Sequence, residues 1–216
     1  MEITLGISTS TPKFEVILSR EHSILFNSRN NPDLEESRDM GDLVKTGLRS
    51  VNLQPSDIKN IVLDIGPGAT SAVRTGVSFA NGLSFSLGIP VYPIMSLELM
   101  GIQARHDKQV PVLCLIKSMK NNAYIGLFTG DKIVVKYGKL DIVTKLLLTD
   151  TAVFSVAGIY EEEIIAMYPE KTIYKSAITK ASMDFFIQNQ ALALGKELLF
   201  PNFAQPITEQ VLDCYE

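Results

Sequence analysis

Apolar positions along this chain follow two rhythms, short β-type runs and stretches with helical spacing, and the order of these rhythms occurs twice. Residues 3–9, 14–20 and 23–28 read as three strands, with turns at Ser10-Thr11-Pro12-Lys13 and Glu21-His22. Beyond the loop Asn30-Asn31-Pro32-Asp33, residues Met40, Leu43, Val44, Leu48 and Val51 keep helical spacing, which predicts a helix over 37–51. Gly41 and Gly47 each lower its intrinsic stability by ~1 kcal/mol relative to alanine, so packing must hold it in place. Pro55-Ser56-Asp57 starts a short connector into a strand over 61–65. That strand enters the turn Gly66-Pro67-Gly68, a helix is predicted over 70–87, and Gly88 stops it. Residues 89–93 form a brief extended piece before another helix from Ser96.

The second half repeats the series. Strands are predicted over 110–116, 123–128 and 133–137, then a helix over 140–148, a strand over 152–156 ending near Gly158, and a helix over 161–167. A last long helix is expected over 181–199, and no conformation is assigned to the tail 201–216. A three-strand meander followed by helix, strand and helix, met twice, implies an α/β protein of two related lobes, each a mixed sheet with flanking helices. The boundary is expected at 107/108, giving an N-terminal lobe over 1–107 and a C-terminal lobe over 108–216. This element order resembles that of the actin-like, sugar-kinase-like (ribonuclease-H-like) fold, which is the expected architecture.

Composition removes several classes of function. Twenty Lys and Arg against 24 Asp and Glu give a net charge of −4, which argues against a chain that binds nucleic acid by itself. The two cysteines, Cys114 within an apolar run and Cys214, form neither a zinc site nor a disulfide framework, and a reducing compartment fits them. The N-terminus Met-Glu-Ile-Thr-Leu lacks the features of a signal peptide, and no run approaches the ~20 apolar residues of a membrane span. A soluble, cytoplasmic protein without membrane contact is expected.

The helix over 70–87 carries the most information. Ala72, Gly76 and Ala80 recur every fourth position and share one face. Val73, Val77, Leu83 and Leu87 can bury against the lobe, while the small residues leave a shallow groove. Either another element of the same chain fills that groove, or a partner protein does. Under the second reading Gly76→Leu blocks association and leaves the chain folded. The turn Gly66, Pro67, Gly68 opens this helix where an anion could meet free N–H groups. However, it lacks the Lys-Ser/Thr ending of a P-loop, and Pro67 removes a donor.

Gly66-Pro67-Gly68, Val73-Arg74-Thr75-Gly76, Ala80-Asn81-Gly82-Leu83, Gly88-Ile89-Pro90-Val91 and Ser96-Leu97 together resemble the TsaB (YeaZ) family of actin-like fold proteins. Those are bacterial partner proteins in making threonylcarbamoyladenosine on tRNA. The resemblance is specific over about thirty residues and extends over the whole chain only through element order. It implies a non-catalytic subunit that binds and activates a TsaD-like enzyme through Met40, Ala72, Val73, Gly76 and Ala80. It implies no metal and no cofactor of its own, with nucleotide at most at the partner interface, and contact with tRNA only through the partner. A homodimer through the same helix is the competing assembly, which would make the chain a self-associating scaffold; a small ATP-dependent kinase is the remaining alternative.

This is a divergent member. Where the family carries Asp in its first strand, this chain has Ser8 within Ile7-Ser8-Thr9-Ser10-Thr11, and Ala69-Thr70-Ser71-Ala72 replaces Ser-Phe-Thr-Gly. Ser37-Arg38-Asp39-Met40 lacks the usual histidine, Lys117-Ser118-Met119 replaces Asp-Ala-Arg, and Pro206-Ile207-Thr208 stands where Pro-x-Tyr-Leu-Arg is expected. A serine hydroxyl cannot replace a magnesium-binding carboxylate, so Ser8 is read as bonded to nearby backbone. Asp64 is read as solvated or capping. His22 and His106 lie in polar turns without zinc-site spacing, no Gly-x-Ser-x-Gly elbow exists, and Glu161-Glu162-Glu163 reads as an acidic helix start. Tyr92, Tyr124 and Tyr137 are too dispersed for a base-stacking platform.

Overall fold

The computed structural model describes residues 2–34, 36–119, 121–130, 132–189, 198, 202–212 and 214–215. The chain divides into two compact units, one formed by 1–95 with 182–206, the other by 96–181 with 207–216.

In the first unit β1 (Ile3–Ser8), β2 (Glu15–Arg20) and β3 (Ser23–Asn27) form an antiparallel meander, and β4 (Ile58–Asp64) and β5 (Val91–Ile94) extend it in parallel on the other side of β1. The strand order is therefore β3-β2-β1-β4-β5. Leu5 and Leu18, which pair across β1 and β2, face a core shared with α1 (Met40–Ser50) and α2 (Thr70–Leu87). The alternate residues Gly6 and Ile17 face the opposite side. There α6 (Met183–Asn189) sits so close that a Cβ on Gly6 would stand 2.8 Å from Ile187 Cδ1. Gly47 does the same for α1: its Cβ would stand 2.7 Å from the Phe26 ring, so the glycine that weakens the helix lets it reach the sheet. The Asp39 side chain caps α1 by accepting from Asp42 N–H, and Gly88 closes α2 with φ 65°.

The second unit repeats the topology. β6 (Val112–Lys117), β7 (Asn122–Thr129) and β8 (Lys132–Lys139) form the meander, and β9 (Val153–Gly158) and β10 (Thr172–Lys175) add in parallel beside β6. The short β11 (Cys214–Tyr215) pairs with the far side of β8. One face carries α4 (Leu140–Leu147) and α5 (Glu161–Met167) over Leu113, Ile125 and Phe154, with Ile164 of α5 buried among them. The other carries α3 (Ser96–Asp107), where Gly101 lies against the Phe128 ring and Gly126 against Leu97.

This arrangement moves the boundary expected at 107/108. Each sheet needs a helix on both faces; α3 covers the second sheet and α6 returns to cover the first. The helix expected over 181–199 is α6 in its first part, and 190–197 lie outside the described residues. Leu198 is no helical residue, because its N–H and C=O both pair with Val91. No helix among the described residues is long and apolar enough to cross a membrane.

Candidate functional site

β1 and β4 are adjacent parallel strands, so their C-terminal residues Ser8 and Asp64 meet at the end of the sheet where open α/β folds place their sites. Asp64 is fully buried and accepts three hydrogen bonds: Ser8 Oγ donates to Oδ2 at 2.8 Å, Ser10 Oγ to the same oxygen at 2.5 Å, and Gly66 N–H to Oδ1 at 2.9 Å. Asp64 is thus a cap, as one sequence reading has it, but it is not solvated. Ser8 binds a carboxylate, and not the backbone it was expected to meet. Among the described residues no three His, Cys, Asp or Glu side chains gather as metal ligands.

The turn after β4 is shaped by the same contacts. Gly66 has φ 90°, a conformation that favours glycine, and gives its N–H to Asp64. The Gly66–Pro67 peptide bond is cis. A Cβ on Gly68 would stand 2.4 Å from Ser10 O and 2.7 Å from Ser10 Cα, so the turn and the loop after β1 touch backbone to backbone. Of the donors expected to offer an anion contact, Gly66 N–H is engaged inside the protein and Pro67 has none.

The stripe of small residues on α2 faces inward, which corrects the expected partner surface. Val73 and Ala80 are fully buried and Met40 nearly so; Gly76 is buried and only Ala72 is half-exposed. The groove is filled by Thr9, whose Oγ1 would stand 2.4 Å from a Cβ on Gly76. Substitution at Gly76 therefore acts on the fold. Gly76→Ala is expected to cost about 1–3 kcal/mol through overpacking, and leucine adds to that cost. A urea melt of the isolated protein checks this; an unchanged midpoint would mean that Thr9 yields freely.

What α2 shows to solvent is its other face. Arg74, Ser78, Gly82 and Phe85 are exposed there, Phe85 to 62%. A Cβ on Gly82 would meet nothing within 4 Å, so the helix surface is open at that point. Residues 203–206 run alongside and complete a groove of about 590 Å³ with Phe85 on one wall and Phe203, 41% exposed, on the other. Asn81 holds this second wall: its Nδ2 donates to Ala204 O at 3.0 Å and its Oδ1 accepts from Ala204 N–H at 3.0 Å. Sequence reasoning missed this surface. The signal available was the spacing of Arg74, Ser78 and Phe85 opposite the small-residue stripe; nothing local places 203–206 beside them.

The other residues tested are structural. His22 and His106 are exposed. Glu161 and Glu162 pair with Lys175 on the surface. The Tyr124 hydroxyl donates to Glu209 and accepts its N–H, holding the tail in the second unit; burial and the Glu209 carboxylate push its pKa up. Cys114 is a buried thiol whose pKa burial also raises.

Comparison with known proteins places these observations. The family model described as "TsaD: tRNA N6-adenosine threonylcarbamoyltransferase" matches residues 35–214. The tRNA threonylcarbamoyladenosine biosynthesis protein TsaB of Bacillus subtilis is 28% identical over 124 residues, 57% of this chain and 54% of that protein. The match thus spans about half the length of that relative. The Buchnera aphidicola TsaB is 24% identical over 151 residues, 65% of this chain and 71% of its own. In structure, YeaZ from Pseudomonas aeruginosa superposes with a TM-score of 0.73 at 20% identity, over 96% of this chain and all of that one.

Proposed function

This chain belongs to the TsaD family as a TsaB (YeaZ)-type member with two actin-like lobes, and we propose that it is a non-catalytic subunit that binds and activates a TsaD-like enzyme for threonylcarbamoyl transfer to adenosine in tRNA. The observation that carries this reading is the outward face of α2, where an exposed phenylalanine borders an apolar groove on a helix whose opposite face is locked into the core. A rigid helix with one aromatic anchor suits a hot spot, and a stable seam around it would bury on the order of 1,200–2,000 Å² in total. The docking surface is therefore assigned to the face opposite the small-residue stripe.

The lack of catalysis is inferred from Asp64. Its carboxylate is committed to Ser8, Ser10 and Gly66, and Ser8 stands where a second carboxylate would be needed to share a magnesium ion. Chemistry on nucleotide and tRNA is assigned to the partner, with nucleotide met by this chain only at the shared interface. The competing occupant of the α2 face is a second copy of this chain.

The test mixes the purified chain with the TsaD-type enzyme encoded in the same genome and measures the mass in solution by light scattering. A one-to-one complex and faster threonylcarbamoyl transfer are expected. Phe85→Asp is expected to weaken association at least a hundredfold while shifting the melting temperature by no more than a few degrees, because the side chain is already 62% exposed. Transfer at full rate without this chain would defeat the proposal.

A further inference from the structure

We infer that Asn81 is a positioning residue for this docking surface, acting through the backbone of Ala204 and not by touching the partner; the inference rests on the reading above that a TsaD-type protein occupies the α2 face.

Residues 203–206 carry no regular secondary structure, and Phe203 points an exposed ring at the groove while Ala204 is buried. An irregular segment holds one conformation only if its backbone groups are engaged. Here the Asn81 carboxamide takes both polar groups of Ala204 at 3.0 Å, one donated and one accepted, as a neighbouring strand would. Asparagine suits this because its short side chain carries a donor and an acceptor side by side. Leucine or alanine would leave both Ala204 groups without these bonds, and aspartate would set a carboxylate against a carbonyl. The amide thus ties the segment that carries Phe203 to the helix that carries Phe85, and both residues line the groove. A partner that docks on a groove lined by both residues needs both walls in place before contact, since ordering one on binding costs affinity.

The experiment measures the dissociation constant of the full chain and the TsaD-type enzyme from the same genome, by calorimetry below the melting transition, for Asn81→Ala, Phe203→Ala, their double variant and Phe85→Asp. Asn81→Ala and Phe203→Ala are each expected to weaken binding about tenfold, and the double variant no further, because the amide acts only through the wall that carries Phe203. Asn81→Asp is expected to behave like Asn81→Ala. If Phe85→Asp weakens binding and Asn81→Ala does not, the role of Asn81 is overturned and the docking face stands. If the two single effects add in full, Asn81 acts elsewhere and the inference also fails. If Phe85→Asp binds normally, the docking face and this inference fall together.

Discussion

Arg29→Ala is expected to destabilise the protein by about 3–5 kcal/mol, the usual cost of stripping a buried charge of its partner. Glu15 is almost wholly buried at the start of β2, with Oε2 at 3.2 Å from Arg29 Nη1 and 3.3 Å from Met183 N, and Oε1 at 3.3 Å from Asn27 Nδ2. Arg29 itself is held by Thr11 Oγ1 and Lys13 O, so the pair joins the first hairpin turn and the segment after β3 to the start of α6. Burial raises the Glu15 pKa despite Arg29, Met183 N–H and Asn27, and the nearby Asp184 adds to the rise. A folded-state pKa above the unfolded value means that the contribution of Glu15 to stability is complete below the ordinary glutamate range and is lost as pH rises through the folded value. Removing Arg29 takes away the strongest opposing influence. The deficit of Arg29→Ala should therefore be largest at neutral and higher pH and shrink as pH falls. Urea melts at several pH values would show this. The double variant Glu15→Gln/Arg29→Met should be far less damaging than Arg29→Ala. A uniform loss at every pH would mean that lost packing by the arginine stem, and not the stranded carboxylate, sets the cost.

Neither member of that pair stands out in the sequence, and the reason is general. Glu15 follows Phe14 at the mouth of a strand, where an acidic residue is ordinarily solvated; its burial comes from α6, some 170 residues on, closing over the Gly6 and Ile17 side of the sheet. Local signals did better. The bounds of α2, Thr70 and Leu87, agree with the apolar spacing and the Gly88 stop, and both meanders lie where alternation predicts them. β10 escaped notice because Thr172–Lys175 is a short, half-exposed edge strand with little pattern. The assignment of α3 and α6 to their sheets could not be read either, since α6 covers a sheet distant in the chain and α3 packs on the strands that follow it, not on those before it. The small-residue stripe shows the limit most clearly. Gly76 announces a close approach, but residue size says nothing about whether Thr9 or another protein makes it.

Ser8→Asp is expected to destabilise the protein by about 4 kcal/mol at neutral pH, and its pH dependence would report how the carboxylate of Asp64 is used. Ser8 Oγ lies 2.8 Å from Asp64 Oδ2, and both residues are buried. Aspartate at position 8 removes a donor and sets a second negative charge against the first. Two buried carboxylates at that distance repel one another unless one of them holds a proton. Because the folded pair would bind more protons than the unfolded chain, the stability of the variant should rise as pH falls from 8 to 5, narrowing the gap to the parent protein. Denaturant melts over that range decide the matter. A gap that is constant with pH would place the new side chain away from Asp64, whereas a gap that closes shows that the hydroxyl of Ser8 is what allows a lone buried carboxylate to serve as the anchor of the turn into α2. With serine at this position Asp64 accepts Ser8, Ser10 and Gly66 together, and the end of β4 holds α2 in register.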